Sequence, residues 1–308
     1  MKAALLFALA LGASVPAFAA DAAQPPNRFA ASIVPAERFE VGTLLVERHG
    51  QRGTPLILVP GLVSGAWVWQ DTVRQFSGEH VIYVVTLAGF DGRAPVAGKM
   101  LDGAQQSLRQ LIASRKLDRP VVIGHSLGAV VAMSLAAQNS SLVRGVVAID
   151  GLPVFPGTEN TPADQRPAMA AGFKARMPVS DHQAFAFQQQ QYMRGMGVTD
   201  MARADELAKL SARSEPAAML AAMGEVLELD LRPSLPDLKV PVLLIAPYFE
   251  PDSTQMGMTR EAKTAYYASL MAGTPQLQVV SIAPARHFVM IDQPQMLADA
   301  LRAFFKAL

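Results

Sequence analysis

The sequence predicts an α/β fold with a mostly parallel central sheet, helices on both faces and a helical insertion. Two observations predict the sheet. From Val59 onward, short apolar runs alternate with helical stretches, and these runs lack the polar alternation of strands that face water on one side. A third observation predicts the insertion, because the alternation stops after Asp150 and resumes near Val240. With 51% hydrophobic and 17% charged residues, the 308-residue chain can bury a large core.

Composition and charge exclude several functional classes. Lys and Arg number 27 against 26 Asp and Glu, without charge runs, so binding to nucleic acid or to an anionic membrane has no electrostatic support. The chain has no cysteine, which excludes disulfides, thiolate metal sites and a cysteine nucleophile. We expect neither a metal nor an organic cofactor.

The N-terminus shows the order of zones that is typical of secretory signal peptides. Lys2 precedes the apolar run Ala3–Leu11, and the Ala-Phe-Ala sequence at positions 17–19 fits a cleavage site before Ala20. The run is shorter than the roughly 20 apolar residues that a spanning helix needs. We expect residues 1–19 to be a signal peptide and residues 20–37 a loosely held lead-in. The mature protein would be exported, periplasmic or secreted, without a stable membrane anchor.

The first part of the predicted core spans residues 38–150. It opens with two antiparallel strands joined at Gly42, after which buried strands and helices alternate. The predicted strands are Glu37–Val41, Thr43–His49, Pro55–Val59, Val81–Val85, Val121–Ile123 and Val143–Ile149, and the helices are Trp67–Phe76, Leu101–Arg115 and Ala129–Gln138. We expect the two tryptophans, Trp67 and Trp69, to anchor the first helix in the core.

Residues 151–236 carry no strand pattern and are expected to form a helical cap, before the core resumes over residues 237–308. The predicted cap helices are Pro162–Met177, Asp181–Gly195, Met201–Arg213 and Pro216–Leu229. Methionines recur in this segment, and they either fill its own core or form an adaptable surface for an apolar ligand. The second part of the core is predicted as strand Val240–Ala246, helix Thr259–Met271, strand Leu277–Ile282 and helix Gln293–Lys306.

The segment Gly124-His-Ser-Leu-Gly128 joins a buried strand directly to a helix of small residues. A sharp turn of this kind forces its middle residue into strained geometry and brings strand and helix close together, so the positions two before and two after Ser126 must be small. Glycines occupy both positions. The turn therefore predicts an exposed serine nucleophile, with the Leu127 amide at the helix N-terminus as one donor to an oxyanion.

A serine nucleophile needs an imidazole base and a carboxylate that orients the imidazole. Of five histidines, only His287 lies in a loop after the last strand, at the sheet edge that carries Ser126. The acid stays open between Asp150, which ends the next strand, and Asp252, with Glu250 as a third candidate. Asp150 is favoured, because it needs no tight turn to follow its strand.

A second oxyanion donor is expected from the loop Pro60-Gly61-Leu62, which follows an early strand. The glycine lets the chain bend so that the Leu62 amide can face Ser126. The alternative is an ordinary connection between a strand and a helix.

With these motifs the chain, from about Arg38 to Leu308, resembles the α/β-hydrolase superfamily, and in particular its capped serine esterases and lipases. The resemblance implies that Ser126 is the nucleophile, His287 the base, and the Leu62 and Leu127 amides the oxyanion donors. The sequence departs from the family pattern at Pro60, where a histidine is frequent, and at Thr86, where an aspartate is frequent. It also lacks the common acid turn after Val240–Ala246. A serine nucleophile argues against the similar dehalogenases and epoxide hydrolases, which use aspartate there.

The resemblance implies a serine hydrolase that cleaves a carboxylic ester, thioester or lactone through an acyl-enzyme, and the signal-peptide pattern implies that this enzyme is exported. We expect a small-molecule substrate with an apolar acyl group. Acyl transfer, perhydrolysis or carbon–carbon hydrolysis could use the same residues. In a different class, the site could bind a small apolar ligand without turnover.

Overall fold

The protein is described by a computed structural model that covers residues 27–177, 181–255 and 257–308. The predicted signal peptide lies outside the described residues. Eight strands form one sheet with the spatial order β1-β2-β4-β3-β5-β6-β7-β8. The strands are β1 (Glu37–Val41), β2 (Leu44–His49), β3 (Leu56–Val59), β4 (Ile82–Thr86), β5 (Val121–His125), β6 (Gly145–Ile149), β7 (Val242–Pro247) and β8 (Leu277–Ile282).

The sheet is antiparallel at one edge and parallel elsewhere, which confirms the predicted fold class. β1 pairs with β2 and β2 with β4 in antiparallel register, whereas β4, β3, β5, β6, β7 and β8 are parallel neighbours. His125 at the end of β5 is paired with Ile149 at the end of β6. The residues that follow them, Ser126 and Asp150, therefore leave the sheet side by side at its carboxyl edge.

Helices cover both faces of the sheet. Those of the core are α1 (Gln70–Phe76), α2 (Met100–Ser114), α3 (Leu127–Gln138), α8 (Glu250–Gln255), α9 (Arg260–Leu270), α10 (Val289–Asp292) and α11 (Pro294–Lys306). Those between β6 and β7 are α4 (Arg166–Arg176), α5 (His182–Tyr192), α6 (Met201–Ser211) and α7 (Pro216–Glu228). A π-helical turn, Met193–Gly197, directly continues α5. No helix within the described ranges is long and apolar enough to cross a bilayer.

Each face of the sheet has its own apolar core, because neighbouring side chains of a strand point to opposite faces. Val122 of β5 packs in one core with Leu108 of α2. The next residue, Ile123, packs in the other core with Trp67 and Trp69. Both tryptophans are buried, which confirms that they anchor the start of the first helix.

The segment between β6 and β7 packs as helix pairs, with α4 against α7 and α5 against α6. One isolated bridge, between Val154 and Asp230, joins its two ends. Its methionines differ in exposure. Met193 is fully buried, as expected for a residue that fills the core of this segment, whereas Met196 is 64% exposed, as expected for a residue of an adaptable surface.

Three local features differ from the sequence predictions. The short helices α8 and α10 were not expected, because six and four residues are too few to show a helical period. The predicted helix over Trp67–Phe76 begins with a 3-10 turn, Ala66–Trp69, and becomes α-helical at Gln70. The helix predicted to run to Gly195 changes to π geometry at Met193.

Candidate active site

Ser126 occupies a strained turn between β5 and α3. Its backbone angles are φ 53° and ψ −117°, a conformation that a non-glycine residue rarely adopts. The Ser126 amide donates a hydrogen bond of 2.9 Å to the carbonyl oxygen of Ile149, which ties the turn to the neighbouring strand. Among the described residues, the Ser126 side chain forms no hydrogen bond, and it does not cap α3. Its hydroxyl is therefore available to a substrate or to a base.

The two glycines of the turn are required by close backbone contacts. A Cβ atom added to Gly124 would lie 2.2 Å from the carbonyl carbon of Gly128. A Cβ atom added to Gly128 would lie 2.1 Å from the carbonyl oxygen of Val59. Real side chains do not make contacts this short, so strand and helix can approach this closely only with glycine at both positions.

The side chains of His287 and Asp150 are hydrogen-bonded to each other. The Nδ1 atom of His287 lies 2.6 Å from Oδ2 of Asp150. Asp150 is placed by β6, whose last residue precedes it, and by an amide hydrogen bond of 3.0 Å to the carbonyl oxygen of Ile245. Its backbone is left-handed, with φ 44°, which turns the side chain out of the strand direction. Of the three acids that the sequence left open, Asp150 is the one that the fold brings to His287.

The other two candidate acids have different surroundings. Asp252 forms a bidentate pair with Arg286, with both N–O distances 2.7 Å. Glu250 is exposed at the start of α8. Helix α8 thus places Asp252 against Arg286, the residue that precedes His287 in sequence, and not against the imidazole.

Asp150 is ionised. Burial raises the pKa of its carboxyl group, but the His287 ring, the charge of Lys263 and the hydrogen bond from Tyr267 outweigh burial and lower that pKa below its ordinary value. A buried, charged carboxylate on Nδ1 holds the imidazole in the tautomer that leaves Nε2 free to accept a proton.

His125 supports the loop that carries His287. Its Nε2 atom lies 3.0 Å from the carbonyl oxygen of His287, and the two rings are 4.4 Å apart. Complete burial, followed by the nearby His287, lowers the pKa of His125 to about 3. The ring is therefore neutral, and since a carbonyl only accepts, Nε2 carries the proton and donates it. No sequence pattern signals this contact, which joins residues 162 positions apart.

The loop after β3 lies against the serine turn. A Cβ atom added to Gly61 would lie 3.0 Å from the Ser126 Cβ atom and 3.0 Å from Nδ1 of His125. Leu62, the predicted second oxyanion donor, follows this glycine, and its carbonyl oxygen accepts a 3.0 Å hydrogen bond from the Ser64 hydroxyl. Leu127, the predicted first donor, begins α3, where amides of the first turn have no partner within the helix.

The helices between β6 and β7 also contribute to this region. Tyr192, the last residue of α5, presents its ring edge-on to His287 at a centroid distance of 6.2 Å. Burial, and then the charge of Asp150, raises the pKa of the Tyr192 hydroxyl, so it stays protonated. Tyr192 belongs to a helix predicted from sequence, but nothing in the helical pattern distinguishes it from its neighbours.

The His287 loop is held to the π-helical turn by its backbone. The His287 amide donates to the carbonyl oxygen of Met196 at 3.2 Å, and the Phe288 amide donates to that of Gly197 at 2.9 Å. Arg286 adds side-chain hydrogen bonds to the carbonyl oxygens of Arg194 and Val198 at 2.6 and 3.1 Å. A π-helical turn shifts the positions of backbone carbonyls, and here several of them accept from the loop.

Within the described ranges, no group of three histidine, cysteine, aspartate or glutamate residues is arranged to hold a metal ion. This arrangement supports proton transfer. The free hydroxyl of Ser126 lies at the same sheet edge as the imidazole of His287, whose Nδ1 atom is hydrogen-bonded to the ionised carboxylate of Asp150.

A sheet of this topology, a serine at the strained turn after β5 and a histidine–aspartate pair at the same edge define the α/β-hydrolase class. A family model described as the alpha/beta hydrolase family matches residues 56–300, and the chain belongs to this family.

The chain is similar to several proteins of known name. It is 27% identical over 265 residues to a pimeloyl-[acyl-carrier protein] methyl ester esterase of Aeromonas hydrophila, with 84% of this chain and 98% of that protein covered. It is 28% identical over 207 residues to the protein of that name from Vibrio atlanticus, with 65% and 78% covered.

Two solved structures share the fold. A thermophilic esterase from Thermogutta terrifontis has a TM-score of 0.69 at 19% identity, with 88% of this chain and 99% of that chain covered. The enol-lactonase from Burkholderia xenovorans has a TM-score of 0.66 at 17% identity, with 88% and 100% covered.

Proposed function

We propose that the protein is a serine hydrolase that cleaves carboxylic esters, including thioesters and lactones, through an acyl-enzyme. Ser126 is the nucleophile, His287 the base and Asp150 the acid of the triad. The observation that carries the proposal is the 2.6 Å contact between His287 Nδ1 and Asp150 Oδ2, at the sheet edge where Ser126 sits on a strained turn. The esterase names of the relatives support the reaction class.

In the first half of the reaction, the His287 Nε2 atom takes the hydroxyl proton as Ser126 Oγ attacks the substrate carbonyl carbon. The carbonyl oxygen becomes an oxyanion, which the Leu62 and Leu127 amides bind. Each donor contributes on the order of 3 kcal/mol to the stability of this state. The tetrahedral intermediate collapses, the C–O bond to the alcohol breaks, and His287 returns the proton to the leaving alkoxide.

In the second half, His287 takes a proton from water, and the resulting hydroxide attacks the acyl carbon. The carboxylic acid leaves and Ser126 regains its proton. Asp150 remains ionised throughout and stabilises the imidazolium that forms in each half. We propose a substrate with a small, apolar acyl group, because the ring of Tyr192 lies edge-on to the His287 imidazole.

The proposal is tested by a fluorophosphonate probe and by ester turnover. We expect the probe to label Ser126 by peptide mass spectrometry, and the Ser126→Ala variant to lose labelling and at least about 10³-fold of kcat on p-nitrophenyl butyrate. Ser141→Ala, which changes an exposed serine, is the matched control and should keep both. Full activity in Ser126→Ala, or stable binding of intact ester by the wild type, would overturn the proposal.

A series of esters would then identify the substrate. The series should vary the acyl chain from two to about ten carbons and include the methyl half-ester of pimelate, because the relatives carry that group in their names. The substrate with the highest kcat/KM defines the class.

We also propose that the chain is exported after cleavage between Ala19 and Ala20. N-terminal sequencing of protein from a periplasmic or culture fraction should begin at Ala20. Ala19→Arg, which removes the small residue at the cleavage site, should accumulate as the uncleaved chain. Recovery of full-length wild type in the cytoplasm alone would contradict export.

A further inference from the structure

The two oxygens of the Asp150 carboxylate have different partners. Oδ2 lies 2.6 Å from His287 Nδ1, and Oδ1 accepts a hydrogen bond of 2.6 Å from the hydroxyl of Tyr267. Tyr267 belongs to α9, 117 residues from Asp150 in sequence, and its side chain is buried. A carboxylate bonded through both oxygens to groups on different elements has its plane fixed, and with it the direction of the bond to the imidazole.

The Tyr267 hydroxyl acts as a donor in this contact. Burial, followed by the charge of Asp150, strongly raises the pKa of Tyr267, so its proton stays in place. One turn earlier on α9, the Lys263 ammonium lies 5.5 Å from the centroid of the Tyr267 ring. This cation also lowers the pKa of Asp150 through its charge. Helix α9 therefore supplies a neutral donor and a nearby positive charge to one buried carboxylate.

We propose that Tyr267 is a positioning residue of the reaction, which holds the Asp150 carboxylate in the orientation that aligns His287 with Ser126. The inference rests on the proposed triad. Its physical basis is that Asp150 leaves β6 with a left-handed backbone and has no tight turn of its own to orient the side chain. The hydroxyl of Tyr267 provides that orientation from outside the loop, and it replaces a water molecule that would otherwise solvate the carboxylate.

Removal of the hydroxyl would alter the charge balance around Asp150 as well as its position. Among the described residues, two titratable side chains, His287 and Tyr267, are hydrogen-bonded to this carboxylate, and three more, His125, Tyr192 and Lys263, interact with it through charge. The O–H dipole of Tyr267 directs its positive end at the carboxylate and so opposes a positive charge on the adjacent imidazole. Without the Tyr267 hydroxyl, the Asp150–His287 pair binds a proton more tightly. On acidification, activity is then lost at a higher pH than in the wild type.

Tyr267→Phe tests the proposal, and α9 itself offers the control. The adjacent Tyr266 also donates its hydroxyl to a carboxylate, that of Glu159, so Tyr266→Phe removes the same kind of bond away from Asp150. For Tyr267→Phe we expect kcat to fall about 10- to 50-fold with KM within about twofold. The acidic limb of the kcat/KM profile should move up by about 0.5 pH unit. Tyr266→Phe should keep kcat within about twofold and leave the limb in place.

Lys263→Met provides a second measurement that keeps the Tyr267 side chain intact. Loss of the cation should move the acidic limb in the same direction by a smaller amount, with the melting temperature almost unchanged. Circular dichroism and thermal melting establish that each variant is folded. If Tyr267→Phe does not fold, 3-fluorotyrosine at position 267 replaces it: its more acidic hydroxyl is a stronger donor to Asp150 and should move the acidic limb down, and an unmoved limb would overturn the proposal.

The outcomes separate this inference from the proposed function. If wild type turns over esters and is labelled at Ser126, while a folded Tyr267→Phe keeps its kcat and acidic limb, the positioning role is wrong and the triad stands. Equal losses in Tyr266→Phe and Tyr267→Phe also overturn it, because they would mark a purely structural effect. If wild type is neither labelled nor active, the proposed function is wrong, and the positioning role, which rests on it, is wrong as well.

Discussion

Arg286 and Asp252 form a bidentate ion pair beside the proposed base. The Nε and Nη2 atoms of Arg286 each lie 2.7 Å from one carboxylate oxygen of Asp252. The same guanidinium donates to the carbonyl oxygens of Arg194 in the π-helical turn and of Val198 directly after it. The pair therefore joins three segments of the chain, helix α8, the His287 loop and the π-helical turn, at the residue that precedes His287.

The first prediction distinguishes the two aspartates. Asp150→Asn should lower kcat about 10³- to 10⁴-fold, because an amide can impose the wrong imidazole tautomer and cannot stabilise the imidazolium. Asp252→Asn should cost no more than about 10-fold, since it loosens the His287 loop without touching the imidazole. Both are measured as kcat on p-nitrophenyl butyrate, with circular dichroism as the control for folding. A larger loss in Asp252→Asn would reassign the acid.

The second prediction concerns the geometry of the Arg286 contact. Arg286→Lys keeps the positive charge but cannot make the planar, two-point contact with Asp252 while also reaching the Arg194 carbonyl. We expect kcat to fall about 5- to 20-fold through misplacement of His287, with labelling of Ser126 slowed by a similar factor. Arg302→Lys, on an exposed pair of α11, is the control and should change neither value. Unchanged kcat in Arg286→Lys would show that the backbone bonds alone hold the loop.

The third prediction concerns the close approach of α3 to β3. Gly128→Ala would place a methyl group 2.1 Å from the Val59 carbonyl oxygen, which can move only with its strand. We expect a loss of at least about 3 kcal/mol in the free energy of unfolding, or failure to fold. Gly78→Ala meets no atom within 4 Å and should stay within about 0.5 kcal/mol of wild type. Denaturant unfolding of the three proteins measures the difference.

The fourth prediction is a pH dependence of stability that arises from Asp230. Its carboxylate lies 3.3 Å from Nη2 of Arg166, a buried guanidinium, and 2.7 Å from Nη2 of Arg232. Burial raises the pKa of Asp230, but the hydrogen bonds and charge of Arg232 and the charge of Arg166 lower it below its ordinary value of 3.8. A lowered folded-state pKa stabilises the fold above pH 3.8, and this stabilisation is lost as the pH falls through the folded-state value.

Asp230→Asn should therefore cost about 1–3 kcal/mol at pH 7, and the difference from wild type should shrink below about pH 4. Thermal melting between pH 3 and pH 7 measures it. Asp299→Asn, which alters an exposed pair with Arg302, should stay within about 0.5 kcal/mol over this range. A difference for Asp230→Asn that grows on acidification would contradict the assigned sign.

Much of the fold could be predicted from the chain alone, because its signals are local. Strands such as Leu56–Val59 are continuous apolar runs, and the helix after Ser126 follows directly from the glycine-flanked turn. The antiparallel start at Gly42 was likewise predicted from a turn residue between two strand patterns. The elements that were missed, α8 and α10, are shorter than two helical turns and leave no periodic pattern.

The surroundings of the proposed base could not be predicted in the same way. His125 is one of several buried strand residues, and only the fold shows that it donates to the His287 carbonyl oxygen. Likewise, only the fold shows that Tyr267 is buried against Asp150 whereas the adjacent Tyr266 is partly exposed and reaches Glu159. Such distinctions depend on which side of a strand or helix faces the sheet edge. Neighbouring positions of one helix look alike in a sequence, although they point in directions 100° apart.

The sequence by itself determined the α/β fold class and the glycine-flanked serine turn. Each strand, helix and turn leaves a pattern within about 15 positions, and the order of these patterns along the chain indicates the fold class. The tertiary structure decided that Asp150, and not Asp252, is bonded to His287, and that Tyr267 holds its second oxygen. The reason is physical: the register of β5, β6 and β7 sets which strand ends meet, and the bidentate contact with Arg286 already occupies the Asp252 carboxylate. Pairings between residues more than 100 positions apart exist only after the sheet has formed.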